Sequence, residues 1–164
     1  MKQKVEHYFG DIDPGPPLVK HQSWVAKLTG TQKEIAYDRV PQTMMMKSWN
    51  IEGNTTRDTN LLDMVSVIMS AGKSSRLYQR LVYNEQLVSD VSAYTAAREI
   101  AGTFEITARI LPGVDEAKVD GIIDEELARF IKDGPTRGEL EQVKIQLISG
   151  FVKGLEQQIG RAHV

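Results

Sequence analysis

The spacing of the apolar residues changes repeatedly along this chain, and the order of those changes limits the possible folds more than any other feature. Within residues 103–111, Phe104, Ile106, Ala108 and Ile110 alternate with polar residues, which is the period of a strand with one buried face. Other segments place apolar residues three and four positions apart, the period of a helix that buries one stripe. The predicted elements follow in the order β β α α β β α α.

Strands and helices that come in pairs favour an α+β fold, in which an antiparallel sheet carries paired helices packed on one face. A parallel doubly wound sheet needs strict alternation of strands and helices, which this order lacks. The strands are predicted at residues 32–39, 43–51, 88–98 and 103–111, and the helices from Thr59 to Gly72, from Ser74 or Ser75 to Leu87, from Asp115 to Gly134 and from Thr136 onward. We expect six apolar side chains to be buried together, namely Phe104, Ile110, Ile123, Leu127, Leu147 and Phe151.

The last two helices carry strong boundary signals. Asp115 can accept hydrogen bonds from the first turn of one helix, and Gly134, which is followed by a proline, is typical of that helix's C-terminal end. Thr136 and Glu139 have the spacing of a capping box, in which each side chain binds the other residue's backbone N–H. These signals predict two consecutive helices with a break between them.

Charge and residue types exclude several classes of function. Twenty Lys and Arg against 22 Asp and Glu give a net charge of −2, which supplies no positive field for a nucleic acid. The chain has no cysteine, so disulfides and Cys-ligated metal sites are excluded. No run of apolar residues approaches the ~18 needed to span a bilayer. We therefore predict no nucleic-acid partner and no membrane span.

Candidate metal ligands and acid–base groups are sparse. The histidines, His7, His21 and His163, lie far apart and outside the spacings typical of zinc sites. The consecutive acidic residues 124–126 lie on a predicted helix, and we interpret them as its solvated face. The chain is therefore predicted to hold neither a metal nor a cofactor and to contribute no catalytic residue.

The segment Ser70–Ser75 contains short matches to two catalytic motifs, and both fail. A phosphate-binding P-loop needs a glycine where this chain has Val67, and it should follow a strand rather than a helix. The Ser-x-x-Lys spacing of β-lactamases occurs without the partner motifs of that family. A glycine that ends one helix and a serine that begins the next explain these residues better.

Residues 71–83, with the sequence AGKSSRLYQRLVY, strongly resemble a motif of the pitrilysin/insulinase metallopeptidases, relatives of mitochondrial processing peptidase. Residues 5–12 look like the end of that family's zinc-bearing domain, and residues 134–144 look like its late helix. The resemblance implies a processing-peptidase-like metallohydrolase fold. It identifies the chain as the second, non-zinc domain of a bacterial member, and it suggests the periplasm as the location.

The same resemblance implies a domain organisation. Residues 1–12 would end the preceding domain, residues 13–31, rich in Pro and Gly, would be a linker, and residues 32–164 would form the second domain, truncated at its C-terminus. Zinc would be held by the missing first domain, over which the second closes to bind and hydrolyse peptides. The expected partners are that zinc-bearing domain or subunit and a peptide substrate. The alternative is an inactive peptidase-like module that serves assembly without turnover.

Many active members of the family contribute an arginine and, seven residues later, a tyrosine to the substrate. Aligned through the serine-arginine-leucine segment, these places fall on Val82 and Ser89. Valine donates no hydrogen bond and serine lacks the reach of a phenol, so neither can replace the pair. The remaining candidates for a substrate cleft are the polar residues of the motif, Ser74, Ser75, Arg76 and Tyr78.

Overall fold

The computed structural model of the protein describes residues 2–13, 15–19, 22–54 and 56–161. Its elements are α1 (Lys2–Phe9), β1 (Thr43–Glu52), α2 (Arg57–Ser70), a π-helical segment (Tyr78–Asn84), β2 (Val88–Ala97), β3 (Ala101–Ile110), α3 (Glu116–Asp133) and α4 (Arg137–Arg161). The α+β class is confirmed.

The sheet is antiparallel, with the strand order β1–β3–β2. The hairpin of β2 and β3 closes with a hydrogen bond of 3.0 Å from the Arg98 N–H to the Ala101 carbonyl. Central strand β3 places Trp49 of β1 and Thr95 of β2 on either side of Phe104. Both strand pairs run in opposite directions, and β2 and β3, which are consecutive in the sequence, form a hairpin. The predicted antiparallel sheet is therefore confirmed.

One face of this sheet carries the core. Along β3 the even-numbered residues from Phe104 to Ile110 are buried, whereas the odd-numbered residues between them are more exposed. Side chains from α2, from the π-helical segment and the residue before it, and from α3 complete the cluster, among them Met69, Leu77, Leu81, Val119 and Ile123. The helices therefore cover the face that the alternation of β3 marks as apolar.

The predicted caps are present. Asp115 accepts a hydrogen bond of 2.9 Å from the Ala117 N–H at the start of α3, and Gly134 follows α3 with a positive φ of 73°. The Thr136 N–H donates to the Glu139 carboxylate at 2.7 Å, and the Glu139 N–H donates to the Thr136 hydroxyl at 3.2 Å. These bonds satisfy backbone N–H groups that would otherwise lack partners at the helix ends.

One predicted element is absent, and another is shorter than predicted. Residues 32–39 form no strand, because their backbone has no strand partner and their side chains point into solvent, with Tyr37 92% exposed. The helix predicted to reach Leu87 is helical only over residues 76–84. There the Glu85 N–H donates to the Arg80 carbonyl five residues earlier, and the left-handed φ of 52° at Gln86 ends the element.

The predicted core is right for its residues on β3 and α3 and wrong for its two residues on α4. Phe104, Ile110 and Ile123 are buried, and Leu127 packs against them. Leu147 and Phe151 are 47% and 69% exposed. Within the described residues, helix α4 contributes Val143 to the interior, and all its side chains from 144 to 155 are exposed. The apolar stripe of α4 therefore continues beyond the elements that cover it.

Candidate functional site

Three of the four predicted cleft residues lie between α2 and the π-helical segment, where the chain turns, and the fourth, Tyr78, begins that segment. Gly72 has a φ of +80°, a conformation that favours glycine. The Ser75 N–H and hydroxyl both donate to the Gly72 carbonyl, at 3.2 and 2.7 Å. Ser75 is buried by this turn, while its neighbour Ser74 is exposed. Of the two serines, only Ser74 presents its side chain to solvent.

Arg76 is bound to the protein itself. Its Nε and Nη2 atoms donate to the two carboxylate oxygens of Glu139 at 2.6 and 2.8 Å, and Nη2 also donates to the Gly134 carbonyl at 3.0 Å. The guanidinium lies 5.0 Å from the centre of the Phe130 ring, within range of a cation–π contact. Only 11% of the side chain is exposed. Arg76 therefore joins the end of α3 to the start of α4.

This pairing changes the acidity of both groups. Hydrogen bonding from Arg76, helped by the backbone and hydroxyl of Thr136, lowers the pKa of Glu139 to about 2. The hydrogen bond to Glu139 raises the pKa of Arg76. A bidentate pair of this kind is among the strongest polar contacts in proteins. Both groups are therefore charged throughout the neutral pH range.

The remaining positions singled out by sequence are divided between core and surface. Tyr78 and Val82 are partly buried and pack against the hydrophobic core. Ser89 is exposed at the start of β2, where its hydroxyl donates to the Gln42 side chain at 3.2 Å and approaches the Arg109 carbonyl at 3.4 Å. The structure does not bring Ser89 together with the serine-arginine turn. A role of Ser74, Ser75, Arg76 or Tyr78 in contacting substrate stays a prediction.

A second charged cluster was missed by the sequence reasoning. Arg80 binds the carboxylates of Glu85, Glu125 and Glu126 at 3.2, 2.7 and 3.1 Å, and Arg129 binds Glu126 from the other side at 2.5 Å. The side chain of Glu126 is only 1% exposed. The interpretation of residues 124–126 as a solvated face is therefore wrong for Glu126 and holds for its two exposed neighbours.

The signal that could have revealed Glu126 is its place on α3. It follows Ile123 by three residues and precedes Phe130 by four, so it lies on the apolar stripe of the helix. A carboxylate on such a stripe needs a cationic partner, because burying it alone is costly. Arg80 and Arg129 are those partners.

On the face of the sheet opposite the core, β2 and β3 carry mostly polar side chains, whereas β1 exposes Met44 and Met46. Ser92 and Thr107, on neighbouring strands, share a hydrogen bond of 2.7 Å between their hydroxyls. Glu105 accepts hydrogen bonds from Thr103 and from Tyr94. Such groups can offer hydrogen bonds to an extended polypeptide, whose backbone presents both donors and acceptors.

Searches for metal ligands and for membrane spans give negative findings. The described residues contain no group of three or more His, Asp or Glu side chains arranged to hold a metal ion. His7 lies exposed on α1, and His21 and His163 lie outside the described residues. Among the helices in the described ranges, none is long and apolar enough to cross a membrane.

Three solved structures with the same fold come from bacterial proteins. A protease from Helicobacter pylori superposes with a TM-score of 0.69 at 24% identity, covering 73% of this chain and 29% of that one. The peptidase M16 inactive domain from Pseudomonas fluorescens gives 0.65 at 21% identity, covering 82% and 32%. The inactive peptidase domain of a proposed zinc protease from Bordetella parapertussis gives 0.61 at 21% identity, covering 77% and 71%. The chain thus spans about a third of the first two structures.

No curated protein shows significant sequence similarity to the chain. The sequence profile of the peptidase M16 inactive domain, in contrast, matches residues 1–147, and this confirms the resemblance carried by the serine-arginine motif and its surroundings. The chain belongs to the family of peptidase M16 inactive domains.

Proposed function

We propose that this chain is the non-catalytic half of a zinc peptidase. It closes over a separate zinc-bearing domain or subunit, which supplies the metal and the general base, and it helps to bind the peptide that is cleaved. The observation that carries this proposal is the match to the peptidase M16 inactive domain over residues 1–147. In this proposal residues 1–12 end the preceding domain, residues 13–31 form the linker and residues 32–164 form the second domain.

The polar face of the sheet supports a surface directed at a peptide. The helices contribute to the core on the other face, and the hydroxyl and carboxylate groups of this face lie along β2 and β3. Positioning a substrate can raise a rate without any part in bond cleavage. The chain would therefore act by confining the peptide against the zinc-bearing partner.

A second candidate is an inactive module that serves assembly. Val82 and Ser89 favour it, because they stand where active relatives place the arginine and tyrosine that contact substrate. Val82 packs against the core, and the hydroxyl of Ser89 is engaged by Gln42. In this case the chain would bind its partner without changing the rate of peptide cleavage.

The isolated chain is expected to hold no stoichiometric zinc. Zinc sites in proteins need three or four closely placed Cys, His or carboxylate ligands, and the described residues offer no such group. The measurement is elemental analysis after exhaustive dialysis against zinc-free buffer. About one zinc ion retained per chain would place a metal site within this domain and contradict the proposal that a separate domain or subunit holds the zinc.

The isolated chain is also expected to show no peptidase turnover, and to raise the rate when it is added to the zinc-bearing domain of the same protein. The assay follows cleavage of an unstructured peptide by the zinc-bearing domain with and without this chain. Ser89→Ala is expected to change the assisted rate less than about threefold, since the serine is not placed to anchor substrate.

Two outcomes of this assay separate the two candidates. A rate increase on addition of the chain supports the peptidase half, whereas binding without any rate increase supports the assembly module. Turnover by the chain alone contradicts both. A loss beyond about tenfold for Ser89→Ala, equivalent to ~1.4 kcal/mol of transition-state stabilisation, would show that this serine acts directly on the substrate.

A further inference from the structure

The face of the sheet opposite the core presents a positive charge at one end. Of the side chains that the three described strands place on this face, only that of Arg109, near the end of β3, is cationic. Arg109 is exposed, and its side chain takes part in no ion pair or hydrogen bond among the described residues. The Thr107 hydroxyl and the Glu105 carboxylate, on the same strand, are both hydrogen-bonded to neighbouring side chains. The guanidinium of Arg109 is therefore available to a ligand.

The two sides of Arg109 differ in character. On β1, Met44 lies directly opposite Arg109 and Met46 lies diagonally, and these two side chains are 60% and 53% exposed. Side chains placed in this way have Cβ atoms about 5 Å and about 7 Å apart, respectively. On β2, Asp90 lies opposite Arg109, and its negative charge repels an anion that approaches from that side. An anion therefore reaches Arg109 best from the side of the methionines.

We propose that Arg109, Met44 and Met46 form a subsite for the C-terminal end of a peptide whose last residue is apolar. The Arg109 guanidinium binds the terminal carboxylate, because its planar fork of N–H donors matches the two carboxylate oxygens. The two methionines contact the last side chain, since flexible thioethers adapt to apolar groups of different shapes. This inference rests on the proposed function, and it names the part of the peptide that this face holds.

Geometry favours a peptide C-terminus over an acidic side chain as the source of the carboxylate. In the last residue of a peptide, the carboxylate and the side chain are attached to the same carbon, so both can contact Arg109 and Met44 at once. In an extended peptide, consecutive side chains point to opposite faces. An acidic and an apolar side chain on one face are therefore two residues, or about 7 Å, apart. That spacing exceeds the distance between the directly opposite positions 44 and 109.

The subsite is tested by direct binding of peptides to the full chain. The probe is a short unstructured peptide that carries a fluorophore at its N-terminus and leucine as its last residue, and binding is followed by fluorescence anisotropy at low ionic strength. It is compared with the same peptide ending in a C-terminal amide, and with an amidated peptide whose last residue is glutamate. We expect the free acid to bind about fivefold more tightly than either amidated peptide.

Two variants assign this preference to Arg109. Arg109→Gln should abolish the difference between the free acid and its amide. Arg137→Gln is the matched control, because it removes the same charge from an exposed position at the start of α4, and it should leave the difference unchanged. Both positions are exposed, so neither variant disturbs the core.

A third variant tests the methionines. Replacing the last leucine of the free-acid peptide by serine should weaken its binding about threefold, because apolar contact with the methionines is lost. Met44→Ser should remove most of this preference for leucine. An equal preference for leucine in the wild type and in Met44→Ser would contradict the assigned role of Met44.

Several results would overturn the subsite. They are equal affinity for the free acid and its amide, a preference for the free acid that survives in Arg109→Gln, and no binding of any peptide by the wild-type chain. Binding of the glutamate amide as tight as that of the free acid would assign Arg109 to acidic side chains instead of C-termini. The zinc-bearing domain takes no part in this measurement. A failure here therefore leaves the rate increase expected in the cleavage assay unaffected, whereas failure of the proposed function abolishes that increase.

Discussion

Arg80→Ala is expected to lower the free energy of unfolding by about 2–3 kcal/mol, at or below the lower end of the cost of leaving a buried charge with no partner, because Glu126 keeps Arg129. The variant leaves the carboxylate of Glu126, which is 1% exposed, with Arg129 as its remaining partner. It also removes the contact of Arg80 with Glu125 of α3 and its contact with Glu85, which keeps an ion pair with Lys118 at 3.0 Å. The measurement is urea unfolding followed by far-UV circular dichroism at neutral pH.

Glu125→Gln is the matched control for this prediction. Glu125 binds the same arginine at 2.7 Å, but its side chain is 64% exposed, and exposed ion pairs contribute little to stability. We expect this variant to change the free energy of unfolding by less than about 0.5 kcal/mol. Similar losses in the two variants would show that the burial of Glu126 does not determine the effect of Arg80.

The central part of the fold was predictable because its signals are local. The alternation within residues 103–111 identified β3 and its buried face, and the caps at Asp115 and Thr136 identified the starts of α3 and α4. Each of these depends on residues within a few positions of one another, where geometry is fixed by the backbone alone. The antiparallel sheet then followed from the order of the elements.

The ends of the fold were less predictable because periodicity identifies an apolar face and not the element that covers it. Leu147 and Phe151 lie on the stripe predicted for α4, yet they are exposed. Residues 32–39 have the pattern of a strand without the pairing that makes one. The predicted helix ends early at the left-handed backbone of Gln86, after a π-type hydrogen bond from the Glu85 N–H to the Arg80 carbonyl, and composition carries no signal for such a bond.

The site was the least predictable part. The family motif directed attention to Arg76 as a residue available to a substrate, whereas the structure binds it to Glu139, 63 residues away. No local pattern could identify that partner. The capping box did mark Glu139 as a helix-start residue, and its second role, as the acceptor of a guanidinium, became visible only in the folded chain.

Arg76→Ala is expected to lower the free energy of unfolding by about 2 kcal/mol at neutral pH. The variant removes two hydrogen bonds to Glu139 and one to the Gly134 carbonyl, together with the contact to Phe130. The loss is smaller than for a fully buried pair because Glu139 retains its bond to the Thr136 N–H and is 21% exposed.

The same pair predicts how stability depends on pH. The pKa of Glu139 is lowered to about 2 in the folded chain, against an ordinary value of 4.5, so the folded state favours the charged carboxylate. Its contribution is complete above about pH 4.5 and is lost as the pH falls towards 2. The difference in unfolding free energy between wild type and Arg76→Ala should therefore shrink over that range.

The control is Lys144→Ala, which breaks the exposed ion pair with Glu141. This variant should lower the free energy of unfolding by less than about 0.5 kcal/mol. A difference between wild type and Arg76→Ala that stays constant from pH 7 to pH 2 would show that the arginine acts through packing on Phe130 and not through the charge of Glu139.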